Sequence, residues 1–321
     1  MSINEIISPI AEDMKALDSV IRARLNSEVV LIRTIGEYII GAGGKRMRPA
    51  MVLMMANALG YQGDKHHILA AVVEFIHTST LLHDDVVDES DMRRGRETAN
   101  EVFGNAASVL VGDYLYSRSF EMMVEVDTMR IMQILSQATT VIAEGEVLQL
   151  LNVHDPDVSV ERYMQVVRYK TAKLFEAATQ IAAVIADVPQ DVEEAAAAYG
   201  RHVGTAFQLI DDVLDYSGSA ENLGKSVGDD LREGKPTLPL IRVMQVGTPE
   251  EQALIRQAIE TGEADFEAVA AAIKNTDALE YTREIAVQEA QIALEALEQL
   301  PDSIYKTSLR NFCTFAIERD R

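Results

Sequence analysis

Apolar residues recur every three or four positions through most of this chain of 321 residues. That spacing matches the turn of an α-helix, whereas the alternating pattern of a β-strand is rare. Good helix formers such as Ala, Leu, Glu, Gln and Met fill long stretches, and only 8 prolines interrupt them. Several stretches are apolar on more than one face, as in the central helices of a bundle. The pattern therefore predicts an all-α fold, one large single-domain helical bundle over residues 1–321.

Short breaks divide this helical pattern. The glycine-rich residues 41–44 end one helix shortly before Pro49, and residues 155–157 break the middle of the chain. Pro189 follows a helix that we expect to end near Val188. Thr248 is followed by a proline and then by Glu251, the sequence of a capping box at a helix start.

The chain is strongly acidic, with 29 Lys and Arg against 51 Asp and Glu and a formal charge of −22. This balance argues against nucleic-acid binding and against stable attachment to an anionic membrane. The longest apolar stretches, residues 68–82 and 173–188, are too short and too polar to insert into a membrane. Cys313 is the single cysteine, and the first residues lack the pattern of a signal peptide. We therefore expect a cytoplasmic protein.

An aspartate motif, HDDVVD at residues 83–88, directly ends the apolar stretch 68–82. On a helix, Asp84 and Asp88 lie on one face with Cβ atoms about 5–6 Å apart. Two carboxylates this close repel each other unless a cation lies between them, and such oxygen ligands suit Mg²⁺. The simpler interpretation is a solvated acidic face, but such a face seldom ends a helix that looks buried.

A second aspartate motif, FQLIDDVLD at residues 207–215, repeats the arrangement with Asp211, Asp212 and Asp215. One such motif is a weak signal, but two at the ends of apolar helices are a strong one. They predict two carboxylate clusters that face each other across a central cavity and bind a polyanion through metal ions.

Small sets of cations accompany these motifs. Lys45 and Arg48 follow a glycine turn at a helix start, where backbone N–H groups favour anions. The remaining cations lie close to the aspartates or in the middle of the chain: Arg93, Arg94, Lys170, Lys173, Lys225 and Lys235. This pattern predicts two diphosphate sites. His77 precedes Asp84 on the same helical face, so it is either a core histidine or a ligand contact.

These motifs together resemble the trans-type polyprenyl diphosphate synthases. The matching segments cover nearly the whole chain: GGKRMRP at 43–49, HDDVVDESDMRRG at 83–95, Lys170-Thr171, FQLIDDVLD at 207–215 and GKSVGDDLREGKPTLP at 224–239. Segments 74–95, 103–123 and 143–150 resemble the bacterial members whose octaprenyl product becomes the ubiquinone side chain. The resemblance implies an isoprenoid-synthase bundle around a central cavity, and commonly a homodimer.

The resemblance also implies a reaction. Isopentenyl diphosphate would be condensed with an allylic diphosphate, such as farnesyl diphosphate, to give a long all-trans polyprenyl diphosphate, octaprenyl in length. Mg²⁺ and the allylic diphosphate would bind to Asp84, Asp88 and Asp211, with other contacts from Arg93, Lys170, Lys225 and Lys235. Isopentenyl diphosphate would bind to Lys45, Arg48, His77 and Arg94. The allylic cation would lie beside Lys170, Thr171 and Gln208.

Small residues before the first aspartate motif bear on the length of the prenyl product. Ser79 and Thr80 precede Asp84 by five and four positions, and the resemblance implies that an aromatic side chain here would stop elongation early. A helix of about 20 residues is about 30 Å long, which suits an extended octaprenyl tail. Met123 is our candidate for the floor of that tunnel, although methionine is more often core filler.

Other interpretations remain open from the sequence. A metal phosphohydrolase could use His83 and Asp84 together with His66, His67 or His202, but it would leave the second motif without a role. A class I terpene cyclase shares the first motif only. A non-catalytic subunit of a two-chain synthase would typically carry degraded aspartate motifs, and both motifs are intact here.

Overall fold

A computed structural model of the chain describes residues 2–41, 44–93, 95–217 and 228–319. Within these ranges the structure is almost entirely helical. The sheet among them is a short antiparallel hairpin of β1 (Met92–Arg93) and β2 (Arg96–Glu97), with Met92 opposite Glu97. The all-α prediction is therefore confirmed.

The first part of the chain contains the helix that ends in the first aspartate motif. The elements of this part are α1 (Ile3–Ile7), a 3₁₀ turn (Ser8–Ile10), α2 (Ala11–Arg24), α3 (Val30–Gly41), α4 (Met47–Ala58), α5 (Lys65–Val87), α6 (Ala99–Phe103) and α7 (Asn105–Val126).

The second part of the chain begins with a long helix and contains a π-helical segment. Its elements are α8 (Met129–Asn152), α9 (Val160–Val166), the π-helical segment (Val167–Ala172), α10 (Lys173–Ile185), α11 (Gln190–Asp215), α12 (Asp229–Arg232), α13 (Leu238–Val246), α14 (Pro249–Thr261), α15 (Phe266–Asn275), α16 (Ala278–Leu297) and α17 (Ile304–Glu318). None of the described helices is both long and apolar enough to cross a membrane.

The chain divides into two compact units, each discontinuous in sequence. Unit 1 comprises Met1–Thr139, Ala177–Ala197 and Gln299–Asn311, and unit 2 comprises Thr140–Glu176, Ala198–Glu298 and Phe312–Arg321. Helices α8, α10, α11 and α17 continue from one unit into the other. The sequence-based prediction of a single domain over residues 1–321 stays a prediction.

Unit 1 is built around α4 and α5. Ten of the twelve residues of α4 are buried, so this helix is apolar on all sides and lies in the core, as its sequence predicts. Helix α5 packs chiefly against α7 and also against α4 and α2. Phe75 in the middle of α5 and Leu82, two residues before Asp84, are fully buried, which holds this helix in the core.

Unit 2 holds a second apolar cluster formed by α12 to α16. Leu231, Leu240, Val243, Ile255 and Val269 are among its buried members. The predicted capping box at the start of α14 is confirmed: the Thr248 side chain accepts from the Glu251 backbone N–H, and the Glu251 carboxylate accepts from the Thr248 backbone N–H. These reciprocal bonds satisfy two N–H groups that a helix start otherwise leaves without partners.

One predicted helix boundary is wrong. The helix that we expect to end near Val188 ends at Ile185. Asp187 adopts a left-handed conformation with φ of 52°, which an α-helix cannot contain. The chain therefore leaves the helix before it reaches Pro189, and α11 begins immediately after that proline.

Candidate active site

The first aspartate motif lies at the C-terminal end of α5, in unit 1. Asp84 is half-buried in the last turn, and Asp88 is the half-buried residue that caps the helix. The Asp88 backbone N–H donates to the Asp84 carbonyl oxygen at 2.8 Å. This bond keeps the two residues one helical turn apart, so both carboxylates can serve a shared cation.

Asp85 and Arg93 form a buried ion pair beside this motif. The Arg93 Nε donates to Asp85 Oδ1 at 2.7 Å, and an Nη atom of Arg93 lies 2.6 Å from the same oxygen. Asp85 is fully buried, and its charge is stabilised by a guanidinium that the β1–β2 hairpin brings back over the helix end. Arg93 is one of the predicted diphosphate contacts. Arg94 lies outside the described residues.

Arg48 and His77 come together in unit 1, as their shared assignment to one substrate predicts. An Arg48 Nη atom on α4 donates to His77 Nε2 on α5 at 3.2 Å. Because arginine has no acceptor, His77 accepts this bond at Nε2. Lys45 is exposed two residues before α4 begins. Gly43, the first residue of the predicted anion-binding turn, lies outside the described residues.

The three predicted chain-length residues are on α5 and α7. Ser79 is buried, and its hydroxyl donates to the Gly112 carbonyl oxygen on α7 at 2.8 Å. The hydroxyl of half-buried Thr80 donates to the His77 carbonyl oxygen of its own helix at 2.8 Å. Met123 is fully buried on α7. Ser79 therefore lies against α7, while the Thr80 hydroxyl is satisfied locally.

The second motif brings Asp211 against Arg319, in unit 2. An Nη atom of Arg319 donates to Asp211 Oδ1 at 2.5 Å and to the Phe207 carbonyl oxygen at 2.8 Å. Its guanidinium lies 3.8 Å from the centre of the Phe207 ring. Sequence reasoning missed Arg319, because a cation after the last helix looks like a solvated chain end. The one sequence signal for Arg319 was the family resemblance, which covers nearly the whole chain.

A line of hydrogen bonds in unit 2 links four residues: Thr171, Gln208, Asp212 and Tyr163. The Thr171 hydroxyl donates to Gln208 Oε1 at 3.0 Å, and Gln208 Nε2 donates to Asp212 Oδ1 at 2.9 Å. The Tyr163 hydroxyl donates to the other oxygen of Asp212. Thr171 and Gln208 are thus brought together as predicted. Tyr163 was missed, because nothing in the sequence distinguishes it from a core tyrosine.

Lys170 is held by two residues of α8 that sequence reasoning did not assign. Its ammonium donates to Gln149 Oε1 at 2.6 Å and lies 2.6 Å from a carboxylate oxygen of Glu146. Glu146 and Gln149 are three positions apart on one face of α8. Both belong to the segment 143–150 that carries part of the family resemblance, and that is the signal that could have identified them.

A cavity of about 170 Å³ lies beside these groups in unit 2. Its lining includes Lys170, Thr171, Gln208, Asp212 and Lys235. The Lys235 ammonium lies 2.5 Å from a carboxylate oxygen of Glu233. The cavity therefore combines predicted cations with the second aspartate motif. Lys225, the remaining predicted cation, lies outside the described residues.

Two glycines let neighbouring helices approach the π-helical segment closely. A Cβ atom on Gly145 of α8 would lie 2.6 Å from the Lys170 backbone nitrogen, and one on Gly204 of α11 would lie 2.7 Å from the Ala172 Cα. Both distances are shorter than van der Waals contact, and both involve backbone atoms. The segment that presents Lys170 and Thr171 therefore depends on glycine on both sides.

Burial makes two carboxylates of the second motif, Asp212 and Asp215, unusually weak acids. It raises the pKa of Asp212 from 3.8 to about 7 and the pKa of Asp215 from 3.8 to about 6. The pKa of Asp230 is also raised, by burial and then by the charges of Asp215 and Asp212. An added cation would relieve this repulsion. A donor set made only of carboxylate oxygens therefore fits a hard divalent ion such as Mg²⁺.

The geometry argues against a phosphohydrolase that would use His66 or His67 together with His83 and Asp84. His66 and His67 lie in the first turn of α5, whereas His83 and Asp84 lie near its other end. At 1.5 Å per residue the two pairs are about 26 Å apart along one helix. They cannot share a metal ion.

Gly145→Ala tests the close approach of α8 to the π-helical segment. Alanine is the better helix former by about 1 kcal/mol, yet its Cβ would collide with the Lys170 backbone. We therefore expect the free energy of unfolding to fall by about 1–3 kcal/mol in urea titrations. Gly36→Ala in α3 is the matched control, because its Cβ would meet only the mobile end of Leu25. Equal stabilities of the two variants would contradict the packing described here.

Asp212→Asn tests the effect of burial on the second motif. The folded protein keeps a proton on Asp212 that the unfolded chain loses above about pH 4. The stability contributed by this proton is fully present below about pH 4 and is lost as the pH rises through about 7. Asparagine is neutral throughout, so the stability of the variant relative to the parent should rise by about 2–3 kcal/mol between about pH 5 and pH 8.

Urea titrations with a chelator present measure this difference. Asp191→Asn is the control, because Asp191 is exposed in the first turn of the same helix. A difference for Asp212→Asn that does not vary with pH would show that the buried carboxyl is charged throughout.

The chain resembles known proteins over its full length. It is 51% identical over 323 residues to the octaprenyl diphosphate synthase of Escherichia coli (strain K12), and the match covers 100% of both chains. Two solved structures are also similar. A polyprenyl synthase from Caulobacter crescentus, complexed with calcium and isoprenyl diphosphate, has a TM-score of 0.94 at 44% identity, covering 100% of this chain and 98% of that one. A decaprenyl diphosphate synthase from Rhodobacter capsulatus has a TM-score of 0.95 at 44% identity, covering 100% of both.

A family model adds an independent match. The model described as polyprenyl synthetase matches residues 29–276, which include both aspartate motifs. The predicted family, the isoprenoid-synthase type of all-α fold and the prediction of a prenyl-transferring enzyme are all confirmed. This chain belongs to the polyprenyl synthetase family.

Proposed function

We propose that this protein condenses isopentenyl diphosphate with an allylic diphosphate, such as farnesyl diphosphate, into an octaprenyl diphosphate for a quinone side chain. The observation that carries the proposal is the cavity in unit 2, where Lys170, Thr171, Gln208 and Lys235 line one space with the second aspartate motif. The octaprenyl length is supported by the 51% identity to the Escherichia coli enzyme over the whole chain.

We propose Mg²⁺ as the metal and Asp84, Asp88 and Asp211 as its ligands. All three side chains are half-buried, so they are accessible to an ion yet partly shielded from water. The calcium in the Caulobacter crescentus structure supports a divalent ion that prefers oxygen ligands. When bound, the metal supplies the positive charge that stabilises the departing diphosphate.

The residues around the cavity position the allylic substrate. Lys170, held by Glu146 and Gln149, presents its ammonium to the diphosphate. The C–O bond breaks, and its electron pair leaves with the diphosphate. Thr171 and Gln208 present oxygen atoms that stabilise the allylic cation. Arg93, Lys225 and Lys235 complete the proposed diphosphate contacts.

Isopentenyl diphosphate is proposed to bind to Lys45, Arg48, His77 and Arg94. The hydrogen bond between Arg48 and His77 supports this assignment, because it brings a cation and an imidazole from different helices together. The double bond of isopentenyl diphosphate then forms the new C–C bond with the cation. A proton leaves to the released diphosphate. The reaction requires that water be excluded from the site, because water would otherwise quench the cation.

We also propose that the enzyme is a cytoplasmic homodimer that binds no nucleic acid. Leu110 and Val124 on α7 are 67% and 63% exposed, and Leu150 and Leu151 on α8 are 62% and 66% exposed. Neighbouring exposed apolar side chains, such as Leu150 and Leu151, favour contact with another subunit. Cys313 is buried as a free thiol, which is typical of a reducing compartment.

The proposed activity is tested with labelled isopentenyl diphosphate, farnesyl diphosphate and Mg²⁺, followed by sizing of the product. The parent should elongate the primer, and Asp84→Asn and Asp211→Asn should each lower the rate by about 10²–10³-fold, because each removes a charge that holds the metal. Asp191→Asn, an exposed aspartate of α11, should keep full activity.

Three other outcomes would contradict the proposal. Release of free phosphate without elongation would indicate a hydrolase, and a cyclised hydrocarbon would indicate a terpene cyclase. Elongation only after addition of a second, different chain would indicate a subunit of a two-chain synthase.

Product length is tested at Ser79, Thr80 and Met123. Phenylalanine in place of Ser79 or Thr80 should shorten the product, because a bulky ring blocks the growing chain, and Met123→Ala should lengthen it. Ser79 also packs on α7 through its bond to Gly112, so Thr80→Phe is the less disruptive variant. Ser79→Ala keeps a small side chain and is the control. Products of unchanged length in both phenylalanine variants and in Met123→Ala would reject the tunnel assignment.

A further inference from the structure

A cluster of potential metal ligands lies at the N-terminal end of α5, at the opposite end of that helix from Asp84. His66 and His67 are adjacent in the first turn, and Asp13 reaches them from α2. The Nε2 atoms of His66 and His67 lie 3.3 Å and 2.9 Å from Asp13 Oδ1. One ligand atom from each residue lies within 4.8 Å of the others. The proposed prenyl transfer uses none of these side chains.

The distances suit ligands of a single ion. In a tetrahedral zinc site the metal–ligand bonds are about 2.0–2.1 Å, which places neighbouring ligand atoms about 3.3 Å apart. The two observed nitrogen–oxygen distances of 3.3 Å and 2.9 Å are close to this value. Small rotations of the side chains would therefore place an ion at bonding distance from all three ligands.

Neighbouring groups hold the three side chains in place. The Asn57 side chain on α4 donates to Asp13 Oδ2 at 2.9 Å, so the carboxylate is fixed through the oxygen that faces away from the histidines. The rings of His66 and His67 lie 3.9 Å apart, and Tyr61 packs edge-on against His66. Groups that orient the ligands in this way are typical of metal sites in proteins.

The cluster is accessible to an ion from solvent. The Asp13 and His67 side chains are 24% and 19% exposed, whereas His66 is 7% exposed. An open side leaves room for water as a fourth ligand. Imidazole nitrogens suit Zn²⁺ and similar transition-metal ions, whereas Mg²⁺ prefers oxygen. The ion for the aspartate motifs would therefore not compete for this position.

We propose that Asp13, His66 and His67 form a binding site for Zn²⁺ or a related transition-metal ion that ties α2 to the start of α5. Helix α2 already packs against α5. A metal bond between them would add stability to the helix that carries the first aspartate motif, without taking part in the reaction. The proposal stands independently of the proposed function.

The test uses Co²⁺ as a coloured substitute for Zn²⁺, added to the full chain in excess Mg²⁺ so that sites with only oxygen ligands are filled. The parent should bind one Co²⁺ per chain, and the bound Co²⁺ should show the visible absorption typical of coordination by nitrogen. Addition of Zn²⁺ should displace the Co²⁺. His67→Ala and Asp13→Asn should each weaken binding by more than the ~10–100-fold that loss of an orienting partner costs.

His202→Ala is the matched control. Its imidazole also contacts a carboxylate, that of Glu289, but without a second histidine, so this variant should bind Co²⁺ like the parent. Zn²⁺ should raise the melting temperature of the parent and the control but not of the two ligand variants. Melting in chelator, where all four proteins should be folded, separates loss of metal from loss of structure.

Two results would overturn the proposal. One is the absence of the nitrogen-type Co²⁺ absorption from the parent protein. The other is its persistence in whichever ligand variants are folded in chelator. Either would show that Asp13, His66 and His67 form only a hydrogen-bonded cluster between α2 and α5.

Discussion

The charge of carboxylates held at the ends of apolar helices is the constraint on which the rest of the site depends. Burial disfavours an ionised carboxylate unless a cation or hydrogen-bond donors compensate for the lost water. The protein meets this need locally: Arg93 pairs with Asp85, Arg319 with Asp211, and Tyr163 and Gln208 donate to Asp212. Where compensation is incomplete, the acid weakens, and the pKa of Asp212 rises to about 7.

Backbone geometry serves the same site. The π-helical segment (Val167–Ala172) carries Lys170 and Thr171, and such segments often occur at functional sites. Gly145 and Gly204 allow α8 and α11 to approach it at distances that no side chain would permit. The same approach brings Glu146 and Gln149 of α8 to the Lys170 ammonium. A change in packing at either glycine would therefore move the Lys170 ammonium.

Features that depend on local sequence could be predicted. Periodicity identified the helices, the Thr248 capping box was confirmed, and helix spacing placed Asp84 one turn from Asp88. Features that depend on tertiary contacts could not. The hydrogen bond from Arg319 to Asp211 joins residues that are 108 positions apart in the sequence. The hydrogen bond from Tyr163 to Asp212 joins residues that are 49 positions apart. The end of α10 was misplaced because the left-handed backbone of Asp187 has no strong sequence signal.

The acidity of the chain, −22 in formal charge, is compatible with the proposed anionic substrates because the proposed cations could exchange their carboxylate partners for a diphosphate. Three of the proposed diphosphate contacts already have carboxylate partners: Arg93 with Asp85, Lys170 with Glu146 and Lys235 with Glu233. A diphosphate that arrives with its metal brings charge of both signs. Its oxygens would take over the cations while the proposed aspartate ligands would hold the metal, so neither partner would be left uncompensated. Binding of the metal and binding of the diphosphate should therefore reinforce each other.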